Sequence, residues 1–175
     1  METIILVYME VPQIVDAIEE EFTKLRILFT DLPESQVNTI PYEGSWTPAQ
    51  LVQHVALSTG ALANAIHMEA KPAKRDPGEK IEMLKKTFLD FSTRMNSPDF
   101  IKPEAGPLEK KLLLNELANA VNALRVSTEN ANFSDLVEGL PMGAITKLEI
   151  VHFVWYHTQR HLNQMRKICA ALGEG

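Results

Sequence analysis

The chain has almost no cysteine, no basic surplus and no long apolar run. Its one cysteine, Cys169, excludes an internal disulfide framework and makes a reducing cytoplasm the expected home. Seventeen Lys and Arg stand against 23 Asp and Glu, a formal net charge of −6. That balance argues against gripping a polyanion through broad electrostatics, so no nucleic-acid partner is expected. The apolar opening from Ile4 to Met9 is too short to span a membrane and lacks the basic flank of a signal peptide, so no membrane partner is expected. No Gly-rich phosphate loop and no Ser-His-Asp order stands out. No repeat, low-complexity tract or linker divides the 175 residues, which fit a single domain, 1–175, with a real core.

What the sequence does contain is helical periodicity, without sustained strand alternation. The spacing predicts a helix from about Pro12 to Thr30, carried by Ile14, Ile18, Phe22, Leu25 and Phe29. A second runs from Thr47 to about Met68 and opens on the capping box Thr47-Pro48-Ala49-Gln50. A third is expected from about Gly78 to Met95, with the seam Ile81, Leu84, Phe88, Phe91 and Met95. A fourth covers about Pro107 to Ser127. The last begins at a second capping box, Thr146-Lys147-Leu148-Glu149, and ends before Gly173. Five such stretches suggest an all-α up-down bundle with a short extra helix or a broken first element. Two connections, Asn96 to Gly106 and Ala131 to Ile145, are longer than a bundle needs. Each is either the wall or lid of a site or a plain crossing over the bundle end.

Two of the five histidines, His157 and His161, are spaced i, i+4 near the end of the chain. On a helix that spacing puts both rings on one side, one turn apart, where they can share a divalent metal. Laid out at about 100° per residue, the last helix has Leu148, Val151, Trp155, Leu162, Met165 and Cys169 at the centre of its apolar face. His157 and His161 lie at one edge of that face, and Gln164 follows on the same edge, placed to touch a bound water or substrate. Glu149, His152, Tyr156, Gln159, Arg160 and Asn163 fall on the opposite, polar side, which predicts a surface position for His152. In the second helix, Leu51, Val55, Leu62 and Ile66 form the stripe. His54 flanks one edge, and His67 falls on the other side, structural or exposed. Helix phase thus selects His54, His157 and His161 as a candidate metal triad.

Three neutral imidazoles leave the charge of a divalent ion uncompensated, so such a site polarises water or thiol strongly. Zinc fits three histidines with an open position, and nickel suits the same donors. No obligatory acid or base is apparent: Glu43, Tyr156 and Arg160 are the candidates, and Glu43 reads first as a solvated loop acid. Cys169 lies in the apolar stripe, where a thiol packs rather than reacts.

Two motifs carry a family resemblance. Gly44-Ser45-Trp46-Thr47-Pro48 through His54-Val55 resembles the Trp-Ser/Thr approach to the second helix, with its histidine, in the DinB-like (YfiT-like) superfamily of small bacterial metal-binding four-helix bundles. Met142-Gly143-Ala144-Ile145-Thr146, then Glu149, then His157-Thr158-Gln159-Arg160-His161 with the trailing Gln164 resembles that family's Gly-x-Leu-Thr turn and His-x-x-x-His. The resemblance implies an up-down-down-up bundle with long loops, a metal triad at His54, His157 and His161, and a packing role for Trp46. Many relatives carry histidine before the proline of the last loop, where this chain has Leu140.

Relatives include transferases that add low-molecular-weight thiols such as bacillithiol to electrophiles, and a mycothiol-dependent isomerase. The expectation is a metal-dependent thiol S-transferase whose partners are a small thiol and an electrophile. A hydrolase using metal-bound hydroxide is the alternative, as is a non-catalytic metal- or small-molecule-binding stress-response module. A homodimer is expected, since bundles of this family often pair and the apolar Ile4 to Tyr8 stretch calls for cover.

Overall fold

The computed structural model describes residues 10–173, so the apolar stretch from Ile4 to Met9 lies outside the described residues. The helices are α1 (Val11–Asp31), α2 (Glu34–Val37), α3 (Pro48–His67), α4 (Ile81–Leu89), α5 (Lys110–Thr128) and α6 (Lys147–Gly173), with a 3₁₀ turn at Asp99–Ile101. The four long helices form a closed ring: α1 borders α6 and α5, and α3 borders the same two. The short α4 packs on the outside of this ring against α6. None of the described helices is long and apolar enough to cross a membrane.

The predicted stripes build the core. Ile14, Ile18, Leu25 and Phe29 of α1 are fully buried, as are Leu51 and Val55 of α3 and Ile150, Val151 and Ile168 of α6. Burying a side chain of this size contributes about 1.5–3 kcal/mol each, which makes these stripes the main stabilising element. Both capping boxes form. Thr47 Oγ1 accepts from Gln50 N at 3.1 Å while Gln50 Oε1 accepts from Thr47 N, also at 3.1 Å. Thr146 Oγ1 accepts from Glu149 N at 3.1 Å and Glu149 Oε2 accepts from Thr146 N at 2.9 Å. The second box fixes where α6 starts, and so the height of its histidines along the bundle.

The third expected helix is shorter at both ends than the seam suggests. Residues 78–80 form turns, and α4 stops at Leu89. Asp90 ends it: its carboxylate accepts from Ser92 N at 3.1 Å and from the hydroxyls of Ser92 (2.5 Å) and Thr93 (2.8 Å). A short acid bonding its own downstream backbone offers the chain a turn in place of another helical one. Phe91 and Met95, read as seam residues, are instead exposed on the segment that follows.

Three very short strands also form: β1 (Lys71–Pro72), β2 (Asp135–Val137) and β3 (Ile145–Thr146), antiparallel in the order β1-β2-β3. Leu136 pairs with both Lys71 and Thr146. Strands of two or three residues are too short for alternation to show in a sequence. They clamp the 131–145 connection to the start of α6.

Candidate metal centre

The three selected histidines meet. His54 comes from α3 and His157 and His161 from α6, and all three are buried. His157 Nε2 lies 3.1 Å from His161 Nε2 and 3.3 Å from His54 Nε2, and one donor nitrogen of each ring falls within 4.8 Å of the others.

The outer nitrogens set the tautomers. His54 Nδ1 donates to the Ile101 carbonyl at 2.9 Å, and His161 Nδ1 donates to Gln164 Oε1 at 3.0 Å. Both rings therefore present an unprotonated Nε2 inward, since a neutral imidazole carries one N–H. Two lone pairs then face His157 Nε2, which has at most one proton to share. Three converging nitrogens with too few protons are a donor set that suits a cation. The spacing agrees: bonds of about 2.05 Å put neighbouring nitrogens about 3.3 Å apart in a tetrahedral site and about 2.9 Å apart at right angles. The hydrogen bonds to Ile101 and Gln164 are of the kind that orients ligating histidines in metal sites.

Burial keeps the rings neutral. His161 is lowered to about 3, first by desolvation and then by His54. His157 is held well below its ordinary value by desolvation, His161 and His54. His54 is lowered by burial against a smaller opposing effect of the Ile101 bond. A metal ligand must be unprotonated, and these three are so at neutral pH.

Aromatic rings enclose the cluster. His157 stacks on Phe153 with ring centroids 5.4 Å apart, Phe88 meets Phe153 edge-on at 4.6 Å, and Trp46 tilts over His54 at 4.9 Å. Beyond them opens a cavity of about 950 Å³, lined by all three histidines and by both long connections. The 96–106 connection forms one wall. Besides His54, two α3 side chains hold it: Gln53 Oε1 accepts from Glu104 N at 2.7 Å, and Gln50 Nε2 donates to Glu104 O at 3.2 Å. Leu140, Pro141 and Met142 of the other connection also line the cavity. Leu140 brings no polar group there.

Three residues assigned to the polar side of the last helix are in fact buried. Glu149 is 0 % exposed, Tyr156 4 % and His152 5 %. The single wheel assumes one buried face, but α6 packs against α1, α3 and α4, so much more of its circumference is covered. His152 is thus not a surface residue: its Nδ1 lies 3.2 Å from Tyr156 Oη, and its Nε2 has no hydrogen-bond partner among the described residues. Tyr156 does not line the cavity, and burial raises its hydroxyl to about 12, which removes it as an acid or base. His67 is exposed, as one of its two readings had it. Burial pushes the Cys169 thiol up, in keeping with a packing role.

Two structural anchors were missed in the sequence. Arg75 forms a double hydrogen bond with Glu149, 2.6 Å on each oxygen, and Lys80 N adds a third donor at 2.8 Å. Burial would raise the Glu149 carboxyl, but the bonds from Arg75, Thr146 and Lys80 outweigh it and hold the group below its usual value. Arg160, next to His161 in the chain, donates to the carbonyls of Phe88 (3.3 Å), Asp90 (2.8 Å) and Thr93. It builds the wall after α4 rather than serving as a free base. Only the capping role of Glu149 had a local signal; Arg75 and the carbonyls lie about seventy residues from their partners.

The fold that carries this cluster has known counterparts. The chain resembles the solved structure of TT2238, a four-helix bundle protein, with a TM-score of 0.60 at 16% identity over 90% of this chain and 99% of that one. It also resembles YfiT from Bacillus subtilis, described as a probable metal-dependent hydrolase with an unusual four-helix bundle topology, with a TM-score of 0.57 at 19% identity over 99% of this chain and 93% of that one. No curated protein matches the sequence. The model of the DinB superfamily matches residues 17–165, a span that contains all three histidines and both capping boxes, and the chain belongs to that superfamily.

Proposed function

We propose that the protein is a metal-dependent enzyme that transfers a low-molecular-weight thiol to an electrophilic small molecule. The observation that carries the reading is the convergence of three neutral Nε2 atoms at the floor of a cavity large enough for two small reactants. His54, His157 and His161 would hold the ion, and zinc or nickel suits the donors. A divalent cation there lowers the pKa of a coordinated thiol or water.

The protein's own groups do the rest. Ile101 O and Gln164 fix the ring orientations, while Phe88, Phe153 and Trp46 exclude bulk water from the histidines. Among the described residues, Glu43 is the one carboxylate lining the cavity. A site poor in general bases favours a nucleophile that needs only to lose its proton at neutral pH, which a thiol does more readily than water.

Hydrolysis is the second reading, supported by the description of YfiT. One assay separates the two. Metal-loaded protein is incubated with a chloro-substituted electrophile and an activated ester, with and without a small thiol. Transfer predicts loss of the electrophile that needs both thiol and metal. Ester cleavage without thiol, and no thiol-dependent loss, would overturn it in favour of hydrolysis. Turnover of neither leaves a binding module.

A further inference from the structure

The cavity carries charge of the opposite sign to the chain. Against a net charge of −6, its lining among the described residues holds four cationic side chains, Arg94, Lys102, Arg160 and Lys167, and one acid, Glu43. Two of the four are engaged. Lys102 pairs with Asp99, and Arg160 is committed to three backbone carbonyls. Arg94 donates to the Gly44 carbonyl at 2.7 Å and has no carboxylate partner among the described residues, and Lys167 likewise has none. Both are exposed at the opening. A guanidinium has several N–H donors, so most of those on Arg94 remain for a ligand.

Beside these cations and the polar Ser92, Thr93 and Asn96, the lining carries large apolar side chains that are left uncovered. Tyr42, Phe91, Met95 and Phe100 line the cavity and are 45 %, 42 %, 41 % and 61 % exposed. Large apolar side chains gathered at one mouth mark a binding surface. Helix spacing sets a length: Lys167 lies six residues beyond His161, about 9 Å along the axis at 1.5 Å per residue.

We infer that the cavity selects an organic anion with an apolar body. Its carboxylate or equivalent charge sits near Arg94 and Lys167, its body lies along Tyr42, Phe91, Met95 and Phe100, and its other end reaches the histidines. The inward-facing reactive end rests on the function proposed above; the selection of an anion does not. Two cations without carboxylate partners act on such a ligand at contact range, whereas the chain's net negative charge is spread over the whole surface and screened by salt.

The test uses the full chain dialysed against chelator, so that no metal can bind the probe's carboxylate. Calorimetry compares phenylbutanoate with its uncharged amide at low and high salt. The acid binds at least about fivefold more tightly at low salt, as a charge-assisted contact predicts. The preference shrinks at high salt and in the Arg94→Met, Lys167→Met double variant, whose circular dichroism and amide affinity match the parent protein. Equal affinity for acid and amide, no binding of either, or a preference that survives the double substitution would each overturn the inference. Failure of the metal reading shows separately, as absence of metal from the protein as purified.

Discussion

At the scale of single residues, the centre depends on which nitrogen of each ring carries the proton. Ile101 O and Gln164 each hold one Nδ1–H and turn a bare Nε2 inward. Gln164→Leu removes the contact that orients His161. Losing such an outer partner typically costs about 10- to 100-fold in metal affinity, so competition against a chelating dye reads a clear weakening with the fold intact. Unchanged affinity would mean that helix packing alone orients the ring. Acid acts on the same residues. The folded pKa of His161 is about 3, that of His157 is far below the usual value and that of His54 is lowered, each chiefly by burial. A lowered folded pKa means that the unfolded chain takes up protons first as pH falls. The contribution of these three histidines to the stability of the metal-free protein is therefore fully present above the unfolded histidine pKa of about 6.5 and is lost progressively toward about pH 3. Urea midpoints across that window check this, and His157→Leu flattens the slope.

Among the elements, the boundaries of α4 and α6 decide the shape of the cavity. The sequence offers a continuous apolar seam to Met95, and it misleads because two polar residues override it. Asp90 turns the chain locally, and Arg160 reaches from α6 to hold the carbonyls that the turn exposes. Arg160→Leu leaves those carbonyls without their donor and costs about 1–3 kcal/mol, with faster amide exchange confined to residues 88–97. Protection unchanged in that segment would contradict the role given to Arg160. The Arg75–Glu149 pair fixes the other boundary. Glu149 is fully buried and Arg75 only slightly exposed, so Arg75→Met strands a buried charge. A loss of about 3 kcal/mol in denaturant unfolding is expected, because removing one partner of a buried pair leaves the other uncompensated. A change below about 0.5 kcal/mol, the scale of surface substitutions, would show that Thr146 and Lys80 suffice.

For the molecule as a whole, the fold and the triad were legible for one reason: both follow from period. Apolar residues every three or four positions gave the long helices, and the same 3.6-residue repeat put His54, His157 and His161 at the edges of their stripes. What could not be read was contact between distant segments. One wheel cannot show that α6 is covered by α1, α3 and α4, so Glu149, His152 and Tyr156 read as its polar side, and His152 as a surface residue, although all three are buried. Nor could strands of two or three residues, or the anchoring of the 96–106 wall by Gln50, Gln53 and His54, leave a periodic signal. Everything claimed for chemistry rests on the cluster of three nitrogens. The most direct test is elemental analysis with native mass spectrometry on protein purified without an affinity tag. The account predicts about one divalent ion per chain, lost in His161→Ala while the helical circular dichroism is retained. A metal-free protein that takes up no zinc or nickel when supplied, or metal content unchanged by His161→Ala, would contradict it.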